Sequence, residues 1–380
     1  MKVAIFTDTY APQINGVAKT LKKWTDFLET KQISYRLFAP NPLETCDYNE
    51  NIHRFKSLPF WLYPECRLAL PRLSHIRTEL EQFKPDIIHV ATPFNMGWTG
   101  HHYARKLNIP LVASYHTHFH KYLDFYKMSC LTPLIWKYMR WFHKPFKRIF
   151  VPSMETRDEL LKKGLTNVRL WSRGVDSDHF HPWPHSTYLR DTFGVTEPFI
   201  LTYVGRLAPE KGLDILMKTA AALPSEWQPY IHWMIVGEGP LYQTLQQEAP
   251  SNMTFTGYKG GIDLSRIYSE SALLVFPSAT ETFGNVVLEA LASGTPAVVA
   301  DSGGVKEIVQ HGKTGWACTP DDPSSFVSAV THLLQNPLLL KAMSEKARAY
   351  ALTRSWDAVF YGLLQEYQTI LEEVPMLSHA

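Results

Sequence analysis

Glu281 and Glu289 stand eight positions apart in the stretch 277–294, PSATETFGNVVLEALASG. The apolar run just before it, residues 273–276, suits a buried strand, and 284–293 has the spacing of a helix closed by Gly294. A strand therefore delivers a loop carrying Glu281, and the loop opens a helix carrying Glu289 on the same face as Asn285. At about 1.5 Å of rise per residue, Glu289 lies roughly 8 Å along the axis from Gly284. The two carboxylates thus address different parts of one extended ligand. Between them, helix-start amides expected at Phe283, Gly284 and Asn285 favour an oxygen-rich or anionic group. An ordinary strand, loop and helix with two solvated glutamates has the same spacing.

A second group supplies cations. Arg206 and Lys211 occur in GRLAPEKG, residues 205–212, directly after the apolar run 199–204. The Lys-Ser/Thr ending of a P-loop is absent. What remains is a forked donor and a mobile point charge five residues apart, where a strand ends and a helix begins. A third group is YHTHFH, residues 115–120, with His116, His118 and His120 at alternate positions. Alternation on an extended chain points three imidazoles to one face, the pattern of a metal site. No cysteine or carboxylate lies close by in sequence, so hydrogen-bonded loop histidines are the reading preferred here. The loop follows an expected strand at 111–115, and open α/β sheets bind ligands beyond such strand ends. Gly16 stands at the start of an amphipathic helix, 17–30, where a missing side chain lets a phosphate or sugar approach; a simple turn glycine is the alternative. Asp176 and Asp178 imitate a metal-binding acid pair, but they enter a Pro- and His-rich stretch, 179–185, that reads as a linker.

The elements that must position these groups alternate. Expected strands at 2–7, 35–39, 86–90, 111–115 and 148–152 are separated by helices such as 74–83, the pattern of a parallel, doubly wound sheet. Ser153 is an expected N-cap with Gly164 as the stop. The rhythm restarts at 199–204, continues through strands at 231–236 and 253–256, and includes a helix begun by Asp322 and Pro323. A last helical pattern covers 356–371. With 380 residues, 45% of them hydrophobic, two cores and two or three domains are expected.

Charge divides the chain. Residues 1–190 hold 27 Lys and Arg against 16 Asp and Glu, net +11, whereas 191–380 hold 11 against 20, net −9. The basic half suits an anionic partner such as a membrane surface or an acidic acceptor; no nucleic-acid motif is present. Within it, LTPLIWKYMRWFHKPFKR, residues 131–148, interleaves aromatics with Lys137, Arg140, Lys144, Lys147 and Arg148. It reads equally as a helix lying at a lipid surface and as a core helix with a basic outer face. Four cysteines at no metal-ligand spacing, a start too brief in apolar residues for a signal peptide, and no uninterrupted membrane span together predict a cytoplasmic protein, at most peripheral at the inner face of the cell membrane.

Glu281, seven intervening residues, Glu289 and then ASGTP, preceded by the Arg206 and Lys211 segment, closely resemble the nucleotide-sugar signature of the retaining glycosyltransferases of family four. The resemblance spans nearly the whole chain and is strongest in 200–315. It implies the GT-B fold: two Rossmann-like doubly wound domains facing a cleft, the N-terminal acceptor side at 1–185, the nucleotide-sugar side at 186–355, and a terminal helix, 356–380, returning to the first. It implies that Arg206 and Lys211 clamp the donor diphosphate, that Glu281 with Phe283, Gly284 and Asn285 holds the sugar, and that Glu289 holds the ribose. Tyr258, after the strand at 253–256, falls near the base, Gly16 faces the diphosphate, and His116 contacts the sugar. No metal or other cofactor is implied. The DTYAPQINGV, YHTH and RGVD segments look most like mannosyl-, glucosyl- and sulfoquinovosyl-transferring relatives that act on lipids, with GDP-mannose the leading donor and UDP-sugars next. Two other classes use such a site: a nucleotide-sugar epimerase of the same fold, and a non-catalytic sugar-nucleotide-binding protein.

Overall fold

The structure, a computed structural model, describes residues 1–13, 15–42, 49–59, 66–116 and 129–373. They fall into two units. The first gathers the described residues of 1–120, 129–172 and 357–380, and the second runs over 173–356.

The first unit contains β1 (Lys2–Phe6), β2 (Ser34–Pro40), β3 (Ile52–Phe55), β4 (Ser57–Pro59), β5 (Arg67–Ala69), β6 (Ile87–Val90), β7 (Leu111–Ser114), β8 (Arg148–Val151) and β9 (Val168–Leu170). Seven of these form one sheet in the order β3-β2-β1-β6-β7-β8-β9, while β4 and β5 pair separately. All neighbours in the large sheet are parallel. Every residue of β6 and β7 is buried, as a parallel sheet covered on both faces requires. The chain leaves β1 towards β2 and later returns to β1's other side at β6, so the winding reverses there and the loops at that point splay apart.

Helices close the two faces. Gly16–Thr30 begins where the Asn15 side chain accepts a hydrogen bond from the Ala18 amide, and it buries Leu21, Trp24, Phe27 and Leu28. The Trp24 ring meets Phe360 at 5.2 Å and Tyr367 at 6.1 Å, both on the terminal helix Trp356–Glu373. That helix thereby completes the apolar cover of the first sheet.

The second unit holds β10 (Phe199–Val204), β11 (Ile231–Val236), β12 (Met253–Gly257), β13 (Leu273–Phe276), β14 (Ala297–Ala300) and β15 (Gly315–Cys318). Their order is β12-β11-β10-β13-β14-β15, again parallel throughout. Its core draws on both faces, from Tyr203, Trp233 and Phe276 in the strands to Leu216, Leu288 and Phe326 in the helices. Arg348 donates to the carbonyls of Ser177, Phe180 and Ala292, pinning the stretch that enters this unit against the helix Asn285–Ala292.

Two expectations change in detail. The stretch 131–148 divides into the helix Thr132–His143 and strand β8, because Pro145 cannot continue the helix. Trp136, Met139 and Phe142 are buried there, while Leu134 and Trp141 are 63% and 52% exposed. Arg148 does not join the basic outer face: it pairs with Glu366 at 3.4 Å and Glu373 at 2.7 Å. The helix expected at 284–293 instead spans Asn285–Ala292, with Gly284 as a left-handed cap at φ +98°.

Candidate functional site

Strand β10 lies between β11 and β13, and the loops that follow β10 and β13 leave the same edge of the sheet side by side. This is the switch point of the second unit, where an open α/β sheet presents a crevice. The loop after β10 carries Arg206 and passes through a short turn, Pro209–Lys211, before Gly212 opens the helix Leu213–Ala222. The loop after β13 carries Glu281. Lys211 and Glu281, seventy residues apart in sequence, meet here: Lys211 Nζ lies 2.5 Å from Glu281 Oε1, with the side chains 15% and 19% exposed. A cation and an anion are thus held together at a rim still open to solvent.

The backbone holds this meeting in place. The Glu210 carbonyl accepts hydrogen bonds from Thr280 Oγ1 at 3.0 Å and Ser278 Oγ at 3.4 Å, joining the two loops. The Gly212 backbone packs so closely on Pro277 that an added Cβ would fall 2.9 Å from its carbonyl oxygen. On the far side, the Gly304 amide donates to the Glu281 carbonyl at 2.7 Å, and a Cβ on Gly303 or Gly304 would strike the 281–282 backbone. Arg206 is partly exposed, and its carbonyl accepts from the Tyr203 hydroxyl at 3.1 Å.

Beyond Glu281 the chain turns at Gly284, where a Cβ would come within 2.4 Å of Val305 Cγ1. Phe283 and Gly284 are buried, and Asn285 and Glu289 share the partly exposed face of the helix. Burial pushes the Tyr268 hydroxyl well above its usual range, so it stays protonated and donates to Glu289 Oε2 at 3.3 Å. Tyr258 follows β12, the edge strand two places from β10, and is 44% exposed. Asp176 is a turn residue: its Oδ1 accepts from the His179 amide at 3.1 Å.

The remaining expected residues belong to the first unit. Gly16 is exposed at the first turn of its helix, after β1. His116 follows β7, is partly exposed, and sets its ring 5.9 Å from that of Trp171. His118 and His120 lie outside the described residues.

Sequence reasoning passed over Asp8, Glu210 and Thr92. Asp8 is wholly buried in the loop after β1 and accepts from Thr92 Oγ1 at 2.6 Å and from the Met96 amide at 2.9 Å. The helix Asn95–Lys106 has Phe94 at its N-cap, which offers no side-chain oxygen, so Asp8 satisfies a first-turn amide from another segment. Burial raises the Asp8 carboxyl to about 6. Glu210 is buried too, with neither carboxylate oxygen hydrogen-bonded. Nothing in the spacing marked either residue: the helix that Asp8 caps begins 87 positions on, at Asn95.

Residues 188–350 match the family model described as glycosyl transferases group 1, and residues 14–179 match glycosyltransferase family 4. Over 377 residues the chain is 31% identical to a GDP-mannose-dependent alpha-mannosyltransferase of Mycobacterium tuberculosis, covering 97% of each. An alpha-monoglucosyldiacylglycerol synthase of Streptococcus pneumoniae is 28% identical over 78% of this chain and 70% of its own. Among solved structures, sucrose-phosphate synthase from Thermosynechococcus elongatus superposes with a TM-score of 0.81 at 18% identity, covering 98% of this chain and 100% of that one. The fold so matched is GT-B.

Proposed function

The chain belongs to the glycosyl transferases of group 1, family 4, and is a glycosyltransferase rather than an epimerase; we propose that it moves mannose from GDP-mannose to an acceptor hydroxyl, with retention of configuration. The observation that carries this reading is the Lys211–Glu281 pair at the switch point of the second sheet. Departure of a nucleoside diphosphate places charge on phosphate oxygens, and Lys211 and Arg206 are the cations nearest in sequence to that rim. They stabilise the leaving group without a metal ion, helped by the amides that open the helix Asn285–Ala292. Glu281 orients sugar hydroxyls rather than attacking them, and His116 and the backbone at Phe283, Gly284 and Asn285 share that task. Glu289 takes the ribose, Tyr258 lies by the base, and Gly16 lets the diphosphate close on the backbone. The name of the mycobacterial relative favours GDP-mannose over UDP-sugars.

The acceptor in this reading is a membrane lipid, as the name of the glucosyldiacylglycerol synthase suggests for that relative. No helix among the described residues is long and apolar enough to cross a membrane. Docking is instead assigned to the outer face of Thr132–His143, where exposed Leu134 and Trp141 alternate with exposed Lys137, Arg140 and Lys144.

Thermal unfolding with GDP, UDP, ADP and dTDP, each with magnesium and with a chelator, tests the donor reading. A midpoint that rises with GDP alone and ignores chelator is expected. A rise with UDP alone moves the donor to a UDP-sugar, and a rise that needs magnesium ends the metal-free clamp.

A further inference from the structure

Away from the strand ends that carry the transfer chemistry, three side chains of metal-ligating type converge on the outer edge of the first sheet. One nitrogen each from His53 and His75 and one carboxylate oxygen from Glu79 lie within 4.8 Å of one another. His75 and Glu79 are four residues apart on the helix Leu73–Phe83 and so share a face. His53 comes from β3, the edge strand. Its Nδ1 lies 3.2 Å from His75 Nε2, and its Nε2 lies 3.5 Å from Glu79 Oε2. One ion takes one nitrogen of His53, so only one of these two distances can belong to its shell; each is close to the roughly 3.3–3.6 Å between ligand atoms of a tetrahedral ion bound at about 2.0–2.2 Å, and the third group lies within 4.8 Å. Glu79, with 23% of its side chain exposed, has the freedom to close what remains of the gap.

The surroundings hold the rings for this purpose. His53 stacks on Phe38 with centroids 5.1 Å apart and 17° between planes, and His75 lies 6.2 Å from Phe55. His53 Nε2 is sealed from solvent and makes no hydrogen bond. In the metal-free protein an imidazole N–H bridges the two rings, and a bound cation would displace that proton. The charge of Arg36 also bears on His53, but its guanidinium is directed to Asn51 and lies over the Phe83 ring at 4.9 Å.

We infer that His53, His75 and Glu79 form a binding site for a divalent transition cation of the zinc class, with water in the fourth position. Two nitrogens and one oxygen suit zinc rather than magnesium or calcium, which prefer all-oxygen shells. The ion joins the edge strand β3 to the helix Leu73–Phe83 and so acts on stability. Three strands, β2, β1 and β6, separate β3 from β7, placing β3 about 19 Å across the sheet from the strand that delivers His116. The ion therefore lies apart from the strand end that carries His116.

The test is calorimetric titration of Zn2+ into chelator-treated full-length protein, with Mg2+ as control and the visible band of tetrahedral Co2+ as a second readout. About one Zn2+ per chain is expected to bind, with a thermal midpoint that rises with Zn2+. His75 is exposed, so His75→Ala is expected to fold, to bind Zn2+ at least about tenfold more weakly and to lose the Co2+ band. Should that variant fail to fold, Glu79→Gln decides by the same loss. No saturable Zn2+ binding by the wild type, or equal binding by the variant that folds, overturns the site.

Discussion

At the scale of single residues, the proposed chemistry turns on the pairing of Lys211 with Glu281. The ammonium at 2.5 Å from the carboxylate is neutralised until a stronger anion competes for it. A diphosphate carries more charge than one carboxylate, so in the proposed reaction donor binding would shift the contact towards phosphate and leave Glu281 for sugar hydroxyls. Lys211→Ala is expected to lower kcat by about 10²-fold or more, the scale of removing one leaving-group donor. Full transfer activity in that variant would end the assignment. Gly284 makes a different claim, because its φ of +98° and the 2.4 Å approach of Val305 leave no place for a Cβ. Gly284→Ala is expected to destabilise the second unit by about 1–3 kcal/mol and to weaken nucleotide binding with it. Denaturant unfolding with and without GDP separates the two effects.

At the scale of elements, the first sheet is tied to the terminal helix by buried polar groups. His89 in β6 hydrogen-bonds Tyr367 through one ring nitrogen and Ser114 through the other. Burial pushes the His89 imidazole down to about 3 and that of His143 down to about 4, from an ordinary value of 6.5. Both are neutral when folded at pH 7, whereas their unfolded forms protonate near 6.5. The stability they contribute is whole above that pH and is lost as pH falls towards the folded values, at about 1.4 kcal/mol per pH unit for each group. Asp8 works in the opposite sense, since its carboxyl is raised to about 6 and its share of stability is lost as pH rises through that value. Two imidazoles against one carboxyl leave a net loss on acidification. The thermal midpoint should therefore fall between pH 6.5 and about 4, and His89→Gln should flatten that slope while lowering stability at pH 7. Equal slopes in both proteins would contradict the account.

At the scale of the whole chain, the charge division between residues 1–190, net +11, and residues 191–380, net −9, separates the lipid-facing proposal from the nucleotide site. The exposed Trp141 and the cations around it sit in the basic half. Binding to vesicles rich in anionic phospholipid is expected at low salt and should weaken as the Debye length shrinks from about 10 Å at 0.1 M to about 3 Å at 1 M. Trp141→Ala should weaken what survives at high salt, because that residue contributes apolar insertion rather than charge. A protein that ignores such vesicles at low salt would sink the docking surface and leave the transferase assignment untouched.

Much of the fold was legible because its strands are short apolar runs buried on both faces. The runs 199–204, 231–236 and 273–276 are strands over the same residues in the structure. The caps at Ser153 and Asp322 were legible as well, each accepting from an amide two or three residues on. Local chemistry decides such features, so the chain carries them without a partner. It likewise carries the Arg206, Lys211, Glu281 and Glu289 set and the order in which the loops present them. What only the tertiary structure decided is which distant groups meet. Lys211 reaches Glu281 because β10 and β13 are neighbours, a pairing that bridges seventy residues. Asp8 caps a helix that begins at Asn95, Arg148 is withdrawn from the basic face by Glu366 and Glu373, and His53 is carried to His75 and Glu79. None of these shows as a periodicity, because each depends on strand order and on which helix covers which edge.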